Sequence, residues 1–519
     1  MVKKFYLTTP LYYINSTPHI GHSYTNIAAD ALARFHRQLG EDVYFLTGTD
    51  EHGQKIAKAA AQANLKEKDF ADKMVSVFVK LWKSLDISYD DFIRTTEERH
   101  TTVVQNILNI LRKKGDLYLD EYIGWYCTPC ETFWVDGSTT LTINPEQAKR
   151  VERVDSQIEE KTCPDCKGQL EKIQEKNFFL KLSKYQGWLI DYIKAHPDFI
   201  KPVSRYNEAL SFLENNKLND LCVSRPRSRL SWGIEIPFSP GHVTYVWFDA
   251  LINYISAIGF GSDEAKFKKY WPADLHLIGK DILRQHAIYW PIILRALDLE
   301  PPKMIFAHGW WMVGQDKMSK SKGNVLDPLK LIQEYGQDAY RYFLLRDVPF
   351  GLDGNFSDQA IIKRYNSDLA NDLGNLVHRS ATMVEKYFSG ALPETEIPKT
   401  HRLIIASVQL KEVIALDMQE VNFTAALEKI WVVINQANKF IEETKPWNLL
   451  KEKRMAELSD FIWVLITVIR NVSSIISGFM PAASQIIQEQ FSSSRIKKGV
   501  PLFPRIDLSL REGKAYPSG

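Results

Sequence analysis

Two short motifs contain the residue types that a triphosphate-binding site needs. The first, His19-Ile20-Gly21-His22, lies between a predicted strand and a predicted helix. A helix N-terminus carries free N–H groups and a partial positive charge, which suit phosphate. Gly21 lets the backbone approach a ligand closely, and His19 and His22, three residues apart, can face one phosphate group. Taken alone, two histidines at such a junction are more often structural or metal-binding.

The second motif is a basic loop near the end of the α/β region. It consists of Lys317-Met318-Ser319-Lys320-Ser321, followed by Lys322-Gly323-Asn324. A solvated lysine-rich loop is the alternative interpretation, but two such motifs in this order, each at a strand end, favour a phosphate site. Lys317 and Lys320 could then neutralise the charge on an α-phosphate and a departing pyrophosphate.

Four of the five cysteines form two C-x-x-C pairs. Cys127 and Cys130 make up the first pair, and Cys163 and Cys166 make up the second, with 32 residues between Cys130 and Cys163. Four thiolates suit tetrahedral Zn²⁺ with no open position, which predicts one structural zinc ion. The alternative interpretation is that a C-x-x-C pair is a redox-active dithiol, but the surrounding sequence does not predict the fold that such a dithiol normally has. With no secretory signal in view, this cysteine usage predicts a reducing, cytoplasmic compartment.

Alternating strand and helix patterns must position these motifs. Strands are predicted at Phe5–Thr9, Val43–Thr47, Val243–Phe248, Leu275–Ile278 and Met304–Ala307, and early helices at Ser23–Leu39, Gln54–Asn64, Asp69–Leu85 and His100–Lys114. Such alternation predicts βαβ units and a parallel sheet. Later helices are predicted at Ile404–Asp417, Thr424–Thr444 and Met455–Ser477 because apolar residues recur there at helical spacing.

These patterns divide the 519 residues into several domains. Residues 1–115 and 232–325 form an α/β domain with a parallel sheet, interrupted by an insertion, residues 116–231, that holds the cysteine pairs. Residues 326–360 connect this domain to an α-helical bundle, residues 361–519. A chain of this length is long enough for several domains of ordinary size, each with its own hydrophobic core.

Composition narrows the class of protein. Apolar residues make up 45% of the chain and charged residues 25%, as in globular proteins that are soluble. The 65 basic and 63 acidic residues nearly balance, so a nucleic-acid partner would have to meet local basic patches. The longest apolar run, Phe461–Met480, is interrupted by Arg470, Asn471 and serines. It therefore predicts a buried bundle helix, and we expect no membrane partner.

With both motifs present without a substitution, the chain resembles the class I aminoacyl-tRNA synthetases, whose HIGH and KMSKS motifs they match. The resemblance covers nearly the whole chain and implies a Rossmann-like catalytic domain that binds ATP with Mg²⁺. It implies catalytic roles for His19, His22, Lys317 and Lys320, and ATP binding by these four residues together with Gly21 and Ser319. Such an enzyme activates an amino acid and transfers it to tRNA.

Several segments look like the methionine-specific branch of that class. They are Thr8–Asn15, Gly48–Gly53, Trp232–Ile234, Val246–Ala250 and Ile278–Asp281. This resemblance implies that methionine is activated to methionyl-adenylate, with Asp50 binding its ammonium group. It also implies a thioether slot formed by Leu11, Tyr13, Trp247, Ala250, Tyr254 and His286. The alternative is that Trp247, Ala250 and Tyr254 pack as ordinary helix residues and that His286 is a core histidine.

Two segments of the helical part are similar to the anticodon-reading positions of this branch, which recognise CAU. They imply that Asn375 and Arg379 bond base edges and that Trp447 stacks on an unstacked base of tRNA(Met). Trp447 could instead be a packed aromatic residue at a helix start. The chain ends about seventy residues after Trp447, with no room for the dimerising domain of some relatives, so we expect a monomer.

Three other functions fit these residues less well. Synthetases for leucine, isoleucine or valine usually carry a longer insertion for editing, and the insertion here has only about 115 residues. A cysteine-specific enzyme often uses catalytic zinc, whereas these all-cysteine pairs lie away from the pocket segments. A tRNA-binding protein without catalysis should have lost phosphate-site residues, but His19, Gly21, His22, Lys317 and Lys320 are all present.

Overall fold

The structure is a computed structural model that describes residues 2–127, 132–135, 139–140, 162–163, 168–313, 316–317, 326–493 and 495–507. The strands in these ranges are β1 (Lys4–Tyr13), β2 (Asp42–Asp50), β3 (Asp91–Arg94), β4 (Leu117–Cys127), β5 (Thr132–Val135), β6 (Thr139–Thr140), β7 (Glu171–Leu180), β8 (Ile200–Lys201), β9 (Leu221–Cys222), β10 (Ser224–Pro226), β11 (Glu235–Ile236), β12 (Ser239–Thr244), β13 (Leu275–Gly279), β14 (Ile305–His308), β15 (Trp311–Val313), β16 (Asp316–Lys317) and β17 (Gly354–Phe356).

The α-helices in the same ranges are α1 (Ile20–Gln38), α2 (Gln54–Gln62), α3 (Glu67–Ser84), α4 (Glu98–Lys113), α5 (Gln186–Ala195), α6 (Val203–Asn215), α7 (Val246–Leu251), α8 (Asn253–Ser256), α9 (Glu264–Tyr270), α10 (Trp290–Ala296), α11 (Pro328–Tyr335), α12 (Gln337–Arg346), α13 (Asp358–Arg364), α14 (Asn375–Phe388), α15 (Arg402–Val408), α16 (Leu410–Gln419), α17 (Phe423–Thr444), α18 (Pro446–Lys451), α19 (Met455–Ile476) and α20 (Pro481–Ser492). Two π-helical segments, Gln285–Tyr289 and Tyr365–Gly374, precede α10 and α14.

Contacts divide the chain into two compact units. The first contains Met1–Thr17, Glu41–Lys80 and Tyr89–His308, and its main sheet has the strand order β3-β2-β1-β13-β14-β8. Every neighbouring pair in this sheet is parallel, as the βαβ pattern predicted. The central strands β1 and β2 are buried along most of their length, so both of their faces are covered, which is typical of a sheet between helices. The predicted α/β fold with a parallel sheet is therefore confirmed.

One strand prediction in this unit was wrong. Val243–Phe248 is rich in β-branched and aromatic residues, but the strand β12 ends at Thr244 and the helix α7 begins at Val246. Tyr245 between them keeps an extended backbone, with φ −72° and ψ 136°. Burial of Val246 and Phe248 from a helix outweighs their intrinsic β preference, which is weak and depends on context.

The second unit contains Pro18–Gly40, Leu81–Ser88 and Gly309–Gly519, and it is mainly helical. Helix α19 is long and apolar enough to cross a membrane, but 67% of its apolar window is buried inside the protein. It therefore forms the centre of a bundle, as predicted. The helix predicted at Ile404–Asp417 is instead two helices, α15 and α16, which meet at Gln409.

A buried ion pair holds α1 in this second unit. Arg341 of α12 donates from Nη2 to Asp30 Oδ2 over 2.6 Å, and both side chains are fully buried. The same guanidinium donates to the backbone carbonyls of Leu85, Gly478 and Phe479. Each of the three guanidinium nitrogens thus donates at least once, and a paired, hydrogen-bonded charge is the arrangement in which burial of a guanidinium is tolerated.

Candidate active site

Two imidazoles cap the N-terminus of α1. His19 is the N-cap residue, and its Nδ1 accepts the Gly21 N–H over 3.1 Å. The Nδ1 of His22 accepts the His19 N–H over 3.1 Å, and the two rings stack with centroids 3.9 Å apart. This is a capping box built from histidines, and it satisfies N–H groups that a helix start leaves without intrahelical partners.

The capping contacts fix the tautomer of both rings. A neutral imidazole whose Nδ1 accepts a hydrogen bond carries its proton on Nε2. Both Nε2–H groups can then donate to an anion. A Cβ at Gly21 would lie 2.9 Å from Cε1 of His19, so any larger residue there would displace the capping ring.

The carboxyl end of the parallel sheet brings three of the predicted methionine-site residues together. In the register of β1 and β2, Leu11 pairs with Gly48 and Tyr13 pairs with Asp50. The side chain of Asp50 is buried, whereas Leu11 and Tyr13 are half-buried and pack against the main core. A Cβ on Gly48 would lie 1.9 Å from the Ile93 carbonyl oxygen, so glycine allows β2 to approach its neighbours this closely.

Two more predicted pocket residues are hydrogen-bonded to each other. The Tyr254 hydroxyl lies 2.7 Å from Nε2 of His286, and Nδ1 of His286 lies 2.9 Å from the Ile282 carbonyl oxygen. Because a carbonyl oxygen only accepts, His286 donates a hydrogen bond from Nδ1 and accepts one at Nε2 from the Tyr254 hydroxyl. Burial lowers the pKa of His286 to about 4, so the ring is neutral at pH 7. Tyr254 also stacks on the buried ring of His276, at 4.2 Å between centroids.

Trp247 and Ala250 lie on the short helix α7. Trp247 is half-buried and packs against the main core, and Ala250 is buried. Both residues therefore lie in the same compact unit as the β1–β2 residues and the Tyr254–His286 pair.

Several polar residues around this region were not singled out from the sequence. Glu51 is fully buried and accepts hydrogen bonds from Arg94, Thr49 and Thr96. Asp249, next to Ala250, lies within 2.8 Å of ring nitrogens of both His52 and His100. A signal existed for Asp249, which stands inside the apolar run Val246–Ile252, since a polar residue in such a run usually has a buried partner. Glu51 lies in a polar stretch and carried no such signal.

The basic motif lies partly outside the described residues. Lys317 is on β16, whose backbone pairs antiparallel with β15 through Met312 and Lys317. Ser319 and Lys320 fall outside the described ranges.

The cysteine pairs are described in part. Cys127 ends β4 and Cys163 lies beside the Thr162–Gln169 bridge, where its N–H donates to the Gly168 carbonyl over 2.7 Å. Both thiols are fully buried and share one small cluster. Cys130 and Cys166 fall outside the described residues.

The predicted anticodon residues lie on neighbouring helices. Asn375 and Arg379 are one turn apart on α14, and both contact α17: Asn375 lies 3.4 Å from Asn438, and Arg379 forms a 2.6 Å ion pair with Glu442. Trp447 on α18 is 39% exposed.

The chain matches known proteins along almost its whole length. The family model described as class I tRNA synthetases (M) matches residues 5–381. The methionine–tRNA ligase of Clostridium tetani is 46% identical over 98% of this chain and 79% of its own length, and that of Caldanaerobacter subterraneus subsp. tengcongensis is 47% identical over 98% and 80%. Among solved structures, Mycobacterium tuberculosis methionyl-tRNA synthetase in complex with methionyl-adenylate superposes with a TM-score of 0.87 at 38% identity, covering 97% of this chain and all of that one.

The parallel sheet, the histidine-capped helix and these matches define a class I aminoacyl-tRNA synthetase. Within that class, the chain belongs to the methionine–tRNA ligase family, as the resemblance of its motifs predicted.

Proposed function

We propose that this protein activates L-methionine with ATP and transfers the methionyl group to the 3′ end of tRNA(Met), for initiation and elongation of protein synthesis. The observation that carries the proposal is the carboxyl end of β1 and β2, where a buried carboxylate, Asp50, is paired in register with Tyr13 and lies near Leu11. An amino-acid substrate needs such an anion for its ammonium group beside an apolar slot for its side chain.

The phosphate groups of ATP are assigned to the two motifs. His19 and His22 would donate from Nε2 to phosphate oxygens at the N-terminus of α1, where Gly21 keeps the backbone accessible. Lys317, Lys320 and Ser319 would bind the same triphosphate from the basic motif. The methionine carboxylate oxygen attacks the α-phosphorus, the bond from that phosphorus to the bridging oxygen breaks, and pyrophosphate leaves. No general base is needed, because the carboxylate is already ionised, and Mg²⁺ accompanies the ATP.

The side chain of methionine is assigned to the slot formed by Leu11, Tyr13, Trp247, Ala250, Tyr254 and His286. Neutral His286 suits such a slot, because a charged imidazole would repel the substrate ammonium group and would be costly to bury. Polarizable and aromatic surfaces favour a thioether.

A structural zinc ion is assigned to Cys127, Cys130, Cys163 and Cys166. The two described thiols fit this group, since both are fully buried in one cluster although 36 positions separate them in sequence. A zinc ion bound there would cross-link β4 to the Thr162–Gln169 bridge and would take no part in the reaction.

Anticodon reading by Asn375, Arg379 and Trp447 is proposed for CAU. The exposed indole of Trp447 supports base stacking, and the fork of Arg379, held by Glu442, supports an edge contact. The domain boundaries given above, the monomeric state and the cytoplasmic location stay predictions.

ATP–pyrophosphate exchange with each of the twenty amino acids tests the activation step. We expect exchange with methionine alone, and a loss of at least about a hundredfold in Lys320→Ala, the range for removal of a transition-state contact. Lys322→Ala is the matched control, because it removes a neighbouring lysine outside the motif, and it should retain exchange. Exchange with another amino acid would contradict the assigned pocket, and no exchange with any would contradict the proposed reaction.

A further inference from the structure

A buried carboxylate joins the two segments to which the methionine site is assigned. Asp249 is fully buried, and its Oδ2 lies 2.7 Å from Nδ1 of His52, while its Oδ1 lies 2.8 Å from Nε2 of His100. His100 is itself held at Nδ1 by the Ser256 hydroxyl, 2.8 Å away. Both carboxylate oxygens thus accept from imidazoles of different elements.

His52 and Asp249 are each close in sequence to residues assigned to the methionine site. His52 follows β2, two residues after Asp50, and Asp249 lies on α7 between Trp247 and Ala250. Successive helix residues are turned by about 100°, so Asp249 faces away from the side that Trp247 and Ala250 share. Asp249 therefore anchors the back of the helix whose front carries the assigned slot.

We propose that His52 and Asp249 form a clamp that sets the distance between the ammonium subsite at Asp50 and the side-chain slot at Trp247 and Ala250, and so selects the length of the amino acid. The inference rests on the proposed function. His100 and Ser256 complete the clamp by holding the second carboxylate oxygen. These four are positioning residues, since none of them is assigned to contact the substrate.

The clamp needs a carboxylate specifically. Both oxygens of an ionised carboxyl accept hydrogen bonds, whereas an amide has one acceptor and one donor group. In Asp249→Asn, one of the two imidazole N–H groups would face an NH₂ group, so one contact must break or one ring must change its tautomer. Helix α7 would lose one of the two hydrogen bonds that Asp249 accepts. The packing around position 249 would change little, because aspartate and asparagine side chains have almost the same volume.

The test compares amino acids that differ by one methylene group. Pyrophosphate exchange is measured for L-methionine, L-ethionine and S-methyl-L-cysteine with the full chain, wild type and Asp249→Asn. In Asp249→Asn we expect the KM for methionine to rise about tenfold, while kcat stays within about threefold of the wild-type value. The preference for methionine over ethionine should also fall about tenfold. Loss of fold would lower the active fraction, hence kcat, without changing this preference.

Asp116→Asn is the matched control. Asp116 is also a buried carboxylate of this unit, held by Lys184 and Tyr185 over 2.7 and 2.9 Å, and it is assigned no role in the site. Its amide variant should keep the wild-type KM and preference. Where Asp249→Asn does not fold, His52→Gln and Ser256→Ala replace it, since each removes one hydrogen bond of the clamp and leaves the carboxylate in place. We expect a large loss of preference in the first and a smaller one in the second.

The outcomes separate the clamp from the function on which it rests. A wild-type chain without methionine-dependent exchange would overturn the proposed function. An active wild type, together with a folded Asp249→Asn or His52→Gln that keeps the wild-type preference, would overturn the clamp alone. A change of preference in Asp116→Asn equal to that in Asp249→Asn would also overturn it, because the effect would then be one of general stability.

Discussion

Replacing Arg341 with methionine should cost this protein a large part of the stability of its second unit. The guanidinium is fully buried and donates to Asp30 and to three backbone carbonyls, those of Leu85, Gly478 and Phe479. Methionine fills similar space but donates nothing. Removal of one partner of a buried ion pair typically costs about 3–5 kcal/mol, because the other charge stays buried.

The structure places the expected value toward the lower end of that range. Asp30 keeps three other donors in the variant: Arg34 Nε at 2.8 Å, the Ser88 N–H at 2.7 Å and the Ser88 hydroxyl at 2.6 Å. The three carbonyls lose a donor each, at roughly 1 kcal/mol apiece. We therefore expect a loss of about 3 kcal/mol in the free energy of unfolding.

Urea denaturation, followed by tryptophan fluorescence and far-UV circular dichroism, measures this loss, and amide hydrogen exchange locates it. Protection should fall in α1, since Asp30 lies on that helix. Arg34→Met is the control. It removes an ion pair of Asp30 whose cation is 21% exposed, and it should cost about 1 kcal/mol or less. Equal losses below about 1 kcal/mol in both variants would refute the reasoning.

The same pair makes a prediction about pH. Burial alone would raise the pKa of Asp30, but the charges of Arg341 and Arg34 outweigh it, so the pKa lies below its ordinary value of 3.8. The ionised carboxylate therefore stabilises the fold above about pH 4, and this contribution is lost as the pH falls through the depressed value. The difference between wild type and Asp30→Asn should shrink as the pH is lowered past 4.

Three further predictions concern other parts of the chain. Burial, together with the charge of Asp368, raises the pKa of Asp372 to about 6. At pH 8 the ionised carboxylate is therefore unfavourable, and Asp372→Asn should be more stable than wild type by about 1 kcal/mol, after allowance for partial exposure. Thermal melts should show this difference narrowing as the pH falls to 5. Tyr254→Phe removes the hydrogen bond to His286 and should raise the KM for methionine roughly fivefold in pyrophosphate exchange; an unchanged KM would argue against the assigned slot. Cys127→Ser should lower bound zinc, measured by atomic emission, well below one ion per chain, whereas Cys222→Ser should leave it unchanged.

Local pattern was sufficient for most elements of the fold. The strand predicted at Leu275–Ile278 and the helix predicted at Gln54–Asn64 are found within about two residues of their predicted ends. The strand predicted at Val243–Phe248 failed because its residues favour both a buried strand and a buried helix, and packing decided between them. The break at Gln409 between α15 and α16 was missed because no proline or glycine lies near it in the sequence.

The contacts around the assigned site lay beyond sequence reasoning for a different reason. The pairing of Asp249 with His52 spans 197 positions, and that with His100 spans 149. No local period connects such residues, and each histidine lies in a polar stretch of sequence, so nothing near either of them pointed to Asp249. The capping of α1 by His19 and His22 is local by contrast, and their spacing of three is the spacing of a capping box.

Charging of a tRNA transcript with radiolabelled methionine tests the central claim most directly. With ATP, Mg²⁺ and zinc present, the account predicts that a tRNA(Met) transcript with the anticodon CAU accepts methionine and that the same transcript with an altered anticodon accepts it far more slowly. It also predicts that the other nineteen amino acids give no stable product. A folded chain that charges the transcript with a different amino acid, or with none, would contradict the assignment of this protein as a methionine–tRNA ligase.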